Sequence, residues 1–241
     1  MALYVIGDLH LSLGVEKPMD VFGGRWQDYM DKLDRGLSVL REDDTIVLCG
    51  DTSWGMTLEE ALPDLQYLEH FPGRKILIKG NHDYWWTTAA KMIAFFDRHD
   101  LTSLRILHNN CWFYGETGLC GSRGWFYEEG VHGGEHDRKI MNREVQRLET
   151  SLRAANCAEK KLVFLHYPPR FHRFVCHDII RVMRAYGVTD CYYGHIHGAG
   201  HALAFTGRED GIRYHMISSD HLGFVPALIE CDAPVPPGGN G

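Results

Sequence analysis

Five short apolar runs, each ending abruptly in a polar turn, set the rhythm of the chain. Leu3-Tyr4-Val5-Ile6 meets Gly7-Asp8-Leu9-His10, and Thr45-Ile46-Val47-Leu48 meets Cys49-Gly50-Asp51. Lys75-Ile76-Leu77-Ile78 meets Lys79-Gly80-Asn81-His82-Asp83. Lys161-Leu162-Val163-Phe164-Leu165 meets His166-Tyr167-Pro168, and Asp190-Cys191-Tyr192-Tyr193 meets Gly194-His195-Ile196-His197. Continuous branched and aromatic runs of this length predict strands buried on both faces. Between them the apolar spacing becomes helical. Tyr29, Met30, Leu33, Leu37 and Leu40 mark a helix over residues 27–40, and Ile140, Val145, Leu148 and Leu152 mark an amphipathic one over 139–155. Further helices are expected over 57–70, 87–96 and 177–186. Strands alternating with helices predict a layered α/β fold. In such folds ligands collect where strands end at their carboxyl side, and all five polar turns sit there. Residues 212–218 and 224–231 read as a closing β-hairpin, with Ser219, Asp220, His221 and Gly223 in its turn and Asp220 and His221 in structural roles. Residues 232–241 read as a disordered Pro/Gly-rich tail behind a single domain over 1–231.

Composition narrows the picture. The chain has 241 residues, 44% hydrophobic and 24% charged, which suits one domain with a real core. The formal net charge of -7 argues against a broad electrostatic grip on extended nucleic acid. Seven cysteines, an odd count without any C-x-x-C pair, read as reduced thiols of a cytoplasmic protein. There is no basic, apolar leader and no run long enough to span a membrane. Fifteen histidines is a high count that points to metal or proton chemistry.

Each polar turn alone is a modest signal. Asp8 could cap a helix beside a chance His10; Gly50-Asp51 ends many strands; His166 alone suits a structural role. His195 and His197 are stronger, because residues two apart in extended chain point the same way. Together they are far more specific, since five strand ends deliver Asp, Asn or His to one edge. Such a donor set, without cysteine, suits paired hard cations with imidazole tolerated for Mn, Fe or Zn. A central carboxylate can bridge two ions that activate water and clamp a phosphate oxygen. Two divalent ions would add about four positive charges and reverse the local field.

The ordered set Asp-x-His, Gly-Asp, Gly-Asn-His-Asp, His and Gly-His-x-His resembles that of the calcineurin-like metallophosphoesterases, and it is similar in particular to bacterial predicted phosphohydrolases of the cyclic-nucleotide-phosphodiesterase-like branch. The resemblance implies a four-layer αββα sandwich of two mixed β-sheets flanked by helices. It implies that Asp8, His10 and His197 bind one metal, that Asn81, His166 and His195 bind a second, and that Asp51 bridges them. His82 would face the phosphate as a catalytic group, and Asp83 would help to place the Asn-His turn. The implied reaction is hydrolysis of a phosphomonoester or phosphodiester of small size by a metal-bridging hydroxide. A non-catalytic scaffold on the same fold is the alternative, and an unligated His82 beside a complete ligand set argues against it. The segment Gly50-Asp51-Thr52-Ser53-Trp54-Gly55 lacks the arginine of the protein Ser/Thr phosphatases, and Lys79 stands where they carry a second one. The lipid A pathway hydrolases typically carry Arg where His82 stands. On the substrate side, Arg123, followed by Trp125, Phe126 and Tyr127, is a candidate phosphate contact or a locally paired arginine. Arg25 is a second candidate, beside Trp26 on a loop after the first motif. Trp85 and Trp86 suit either core packing or a pocket wall. His132 and His136 suit a solvated loop or a third metal.

Overall fold

A computed structural model describes residues 1–125 and 134–230. In chain order its strands are β1 (Leu3–Ile6), β2 (Thr45–Cys49), β3 (Arg74–Ile78), β4 (Leu104–Ile106), β5 (Trp112–Tyr114), β6 (Thr117–Ser122), β7 (Lys160–Leu165), β8 (Arg170–Phe171), β9 (Phe174–Val175), β10 (Asp190–Tyr193), β11 (Gly207–Glu209), β12 (Ile212–Met216) and β13 (Ala227–Ile229). The helices are α1 (Tyr29–Leu37), α2 (Leu58–His70), α3 (Ala89–Arg98), α4 (Glu135–Ala154), α5 (His177–Ala185) and the one-turn α6 (Ser219–Leu222). Every strand and helix expected before residue 200 forms, with ends shifted by a few residues. Thr57 and Thr88 cap α2 and α3, their hydroxyls accepting from the amides of Glu60 and Lys91.

One sheet runs β13-β1-β2-β3-β4 and the other β11-β12-β10-β7-β6-β5. In the first, β1 to β4 are parallel and β13 closes one edge antiparallel; in the second, β12, β10, β7 and β6 are parallel between antiparallel edges. Three apolar clusters give the layers. Leu33 and Leu37 of α1, Leu65 of α2 and Met92 of α3 pack on Ile6, Leu48 and Leu77 of the first sheet. Leu148 and Leu152 of α4 and Ile179 and Met183 of α5 pack on Val163 and Cys191 of the second. Val5, Val47 and Ile76 face Leu162, Phe164 and Tyr192 across the interior between the sheets. This is the αββα sandwich. Strands in both sheets are therefore covered on both faces, which is why they read as unbroken apolar runs.

The closing hairpin is a correction. β12 lies parallel to β10 in one sheet, whereas β13 lies antiparallel to β1 in the other. The intervening α6 carries the chain from sheet to sheet, so the two strands do not pair. A parallel bridge between Gly7 and Ser218 ties the carboxyl ends of β1 and β12 together. Trp85 and Trp86 are buried in the first cluster, which is the packing role. The 232–241 tail, His132, Phe126 and Tyr127 lie outside the described residues. The six described cysteines are all free. Among the described residues no helix is long and apolar enough to cross a membrane.

Candidate metal centre

The five polar turns meet at one edge of the sandwich. Asp8 and His10 follow β1, Asp51 follows β2 and Asn81 follows β3, all from the first sheet; His166 follows β7, and His195 and His197 follow β10, from the second. The two sheets deliver interleaved rather than separate groups. Ligand atoms of Asp8, His10 and His197 converge within 4.8 Å of one another, and so do those of Asp51, His166 and His195. Asn81 joins the second group, its Oδ1 lying 2.6 Å from His166 Nε2. The carboxylate of Asp51 stands between them: Oδ2 is 3.7 Å from His10 Nε2 and 3.6 Å from His166 Nε2.

Close approach of the turns depends on glycine. A Cβ on Gly80 would lie 2.0 Å from Asp51 Oδ1, and one on Gly194 would lie 2.2 Å from Asp8 Oδ2. Asp8, His10, Asp51 and His195 all adopt left-handed backbone, with φ between 49° and 72°. Non-glycine residues there cost about 1–3 kcal/mol each and persist where the surroundings over-determine them. What over-determines them is a ladder of turn-to-turn hydrogen bonds. The Asp8 amide donates to Gly50 O and the His10 amide to Asp51 O, each at 2.9 Å. The His195 amide donates to the Asp8 carboxylate at 3.0 Å, and the His82 amide to Asp51 Oδ1 at 2.8 Å.

The chemistry of the donors fits cations. Burial pushes the His10 and His195 imidazoles down and His166 to about 3, so these rings are neutral and offer lone pairs. His166 Nδ1 faces the Cys49 carbonyl at 3.1 Å and must be the protonated nitrogen, so Nε2 meets Asn81 Oδ1 lone pair to lone pair. His197 Nδ1 faces Asp220, and its Nε2 lies 3.4 Å from His10 Nε2, a gap without room for two protons. Burial, with Asp51 adding its charge, pushes Asp8 up to about 8. Lone pairs packed against lone pairs, and carboxylates that resist ionisation, are what a cation between them relieves.

Around this core, Asp83 is fully buried and accepts from the amides of Asp51, Thr52, Ser53 and Gly80 and from the Trp85 indole, at 2.7 to 3.2 Å. His82 is half-buried, its ring centroid 5.8 Å from that of His10, and its Nδ1 has no hydrogen-bond partner among the described residues. Burial lowers its pKa while Asp51 opposes the shift. Trp54, which sequence reasoning did not single out for the site, stacks on His10 at 4.9 Å and leans on His82 at 4.4 Å. Trp26 meets His10 and His197 edge-on at 5.7 and 5.6 Å.

The two substrate candidates come to lie beside the centre with their side chains engaged. Arg123 accepts at its carbonyl from the amides of His166 and Tyr167, while its guanidinium lies 3.4 Å from Glu144 and over the Trp125 ring. Arg25 donates to the Asp220 carbonyl at 2.9 Å. His136 sits in the first turn of α4.

The sequence model of the calcineurin-like phosphoesterases matches residues 1–199, which hold all five motifs. The chain belongs to that family. As a calcineurin-like phosphoesterase it is a metal-dependent hydrolase of the αββα type. Its fold is similar to that of phosphopantetheinyl hydrolase (PptH) from Mycobacterium tuberculosis, with 15% identity, 98% of each chain covered and a TM-score of 0.59. The protein of unknown function AQ665 from Aquifex aeolicus aligns at 16% identity over 94% of this chain and 95% of that one, with a TM-score of 0.48. Among curated protein sequences, none matches the chain.

Proposed function

We propose that this phosphoesterase works with two metal ions and hydrolyses a small phosphomonoester or phosphodiester. The observation that carries the binuclear reading is the position of Asp51, whose Oδ2 is nearly equidistant from the two imidazoles of separate donor groups. Asp8, His10 and His197 would hold one ion; Asn81, His166 and His195 would hold the other; Asp51 would touch both. Neutral imidazoles and oxygen donors suit Mn, Fe or Zn. Bound there, the ions would supply the charge that makes water nucleophilic near neutral pH and that offsets charge on the phosphoryl oxygens.

The chain's own groups then divide the remaining work. The Asp51 carboxylate holds the His82 amide through Oδ1, so the same residue that joins the donor groups also sets where the His82 ring stands. That ring, half-buried and leaning on Trp54, donates a hydrogen bond to the phosphoryl oxygen or a proton to the departing oxygen. Asp83 fixes the turns that carry Asp51, Asn81 and His82 by binding four of their amides at once. Arg123 and Arg25 contribute contacts to the parts of the substrate beyond the scissile ester. Free cysteines and the absence of a membrane-crossing helix among the described residues are compatible with a cytoplasmic setting.

The test is kinetic. Wild type and His82→Ala are assayed with Mn²⁺ on matched aryl and alkyl phosphate esters and diesters, with metal content measured in both. General acid help is worth about 10²–10⁴ in rate. The variant should keep its metals and lose kcat by about that factor on the alkyl ester, and by less on the aryl ester, whose leaving group needs no proton. An equal loss on both removes the proton-donor role, and no loss on either removes His82 from catalysis.

A further inference from the structure

His197 is held from behind. Its Nδ1 lies 2.9 Å from Oδ1 of Asp220, a carboxylate only 1% exposed. The other oxygen, Oδ2, accepts from the Gly198 amide at 3.1 Å and faces His201 Nε2 at 3.2 Å. Asp220 itself is anchored to the turn that carries Asp8. Its neighbour Ser219 donates through its amide to Gly7 O at 2.9 Å and through its hydroxyl to Asp8 O at 2.6 Å. Arg25 clamps the Asp220 carbonyl from the other side. Two donors thus bind one buried carboxylate, and a single oxygen is given over to the ring of His197.

This arrangement has a chemical consequence. A neutral imidazole carries one proton, and the nitrogen that holds it is set by the partner of the other. With Nδ1–H donated to Asp220, the Nε2 lone pair is aimed at the space shared with His10 Nε2, 3.4 Å away, and Asp8 Oδ1, 3.7 Å away. Released from Asp220, the ring could rotate or carry its proton on Nε2, and an N–H would then point into the donor group.

We propose that Asp220 is the positioning residue of His197: it fixes the tautomer and the ring plane of that donor, so that the Asp8–His10–His197 group binds its ion selectively through Asp220 while the Asn81–His166–His195 group does not depend on it. The proposal rests on His197 being a metal ligand. Among the described contacts His197 is the one member of either donor group that meets the Asp220 carboxylate, so its action runs through His197. Asparagine cannot replace it: with His197 on one oxygen and the Gly198 amide on the other, an NH₂ in place of either oxygen would meet one of these donors head-on.

The experiment uses the full chain stripped with chelator and titrated with Co²⁺, read by visible absorbance, for wild type, His197→Ala, His195→Ala and Asp220→Asn. Removing an outer partner of a ligating histidine typically weakens metal binding about 10–100-fold. Asp220→Asn should weaken the same binding step as His197→Ala by about that factor and leave the step marked by His195→Ala unchanged. A uniform weakening of both steps, or none, overturns the proposal. If His197→Ala itself weakens neither step, the ligand reading fails and carries the proposal with it, an outcome separable from failure of Asp220→Asn alone. Long-range ¹H–¹⁵N spectra of the metal-free wild type, at a pH where the ring is neutral, need no variant. They should show the His197 proton on Nδ1, and a proton on Nε2 overturns the proposal whether or not the variants fold.

Discussion

Replacing Asp83 should damage this protein more than replacing any single metal donor, because the carboxylate is a knot between two motif turns. It accepts five N–H groups and is fully buried: Oδ2 serves Asp51 and Gly80, and Oδ1 serves Thr52, Ser53 and the Trp85 indole. A buried donor left without a partner costs about 1–3 kcal/mol. In Asp83→Asn the amide oxygen can take the place of Oδ1 and keep three donors, but the NH₂ then meets two amides donor to donor. Two such losses, partly relaxed, amount to about 2–4 kcal/mol. Asp83→Ala abandons all five and should exceed about 4 kcal/mol, a large part of the 5–15 kcal/mol that holds a domain together. The assay is urea unfolding by circular dichroism in the presence of chelator, so that metal binding does not mask the change. At about 2–4 °C per kcal/mol for a chain of this size, Asp83→Asn should also lower the Tm by roughly 5–15 °C. A loss below about 1 kcal/mol in Asp83→Asn would refute the reasoning, since the two turns would then be held by something other than this carboxylate.

Asp51→Asn should lose metal and activity together, because two neighbouring cations would face each other with less compensating charge; retention of two ions with near-normal turnover, by metal analysis and kinetics, contradicts this. The metal-stripped protein should lose stability as pH rises from about 6.5 to about 8. In that window the aspartates of the unfolded chain are already ionised, while burial holds folded Asp8 up to about 8 and Asp83 up to about 7. His197 moves the same way: burial lowers it, but Asp220 and Asp8 together raise it above its ordinary value. The unfolded state therefore binds fewer protons, and stability falls with pH. Melting curves at several pH values should show this slope, and Mn²⁺ should flatten it; a slope of opposite sign in the stripped protein would contradict it.

The donor set was legible in the sequence because each donor sits directly behind an apolar run that parallel pairing buries on both faces, so strand and ligand share one local pattern. Leu3–Ile6 and Asp190–Tyr193 were readable as strands to the residue. The C-terminal part was not. β12 and β13 have the local look of a hairpin, two apolar runs around a polar turn, yet their partners β10 and β1 are remote in sequence and lie in different sheets. For the same reason Asp220 passed as a turn residue: it meets His197 only because α6 crosses between the sheets at the carboxyl ends of β1 and β10. Trp54 carried a signal, an aromatic three residues after Asp51, but its stacking on His10 depends on the left-handed backbone of both turns. Arg123 was open between a phosphate contact and a local ion pair, and its ion-pair neighbour, Glu144, lies on α4, remote from it in sequence.

The central claim is that one carboxylate joins two ions. Crystals grown with excess Mn²⁺ and measured on both sides of the manganese absorption edge test it directly. The account predicts two anomalous peaks about 3.5–4 Å apart, one among Asp8, His10 and His197, the other among Asn81, His166 and His195, with Asp51 reaching both. A single peak at full occupancy held only by Asp8, His10 and His197, or two peaks with Asp51 touching neither, would contradict it.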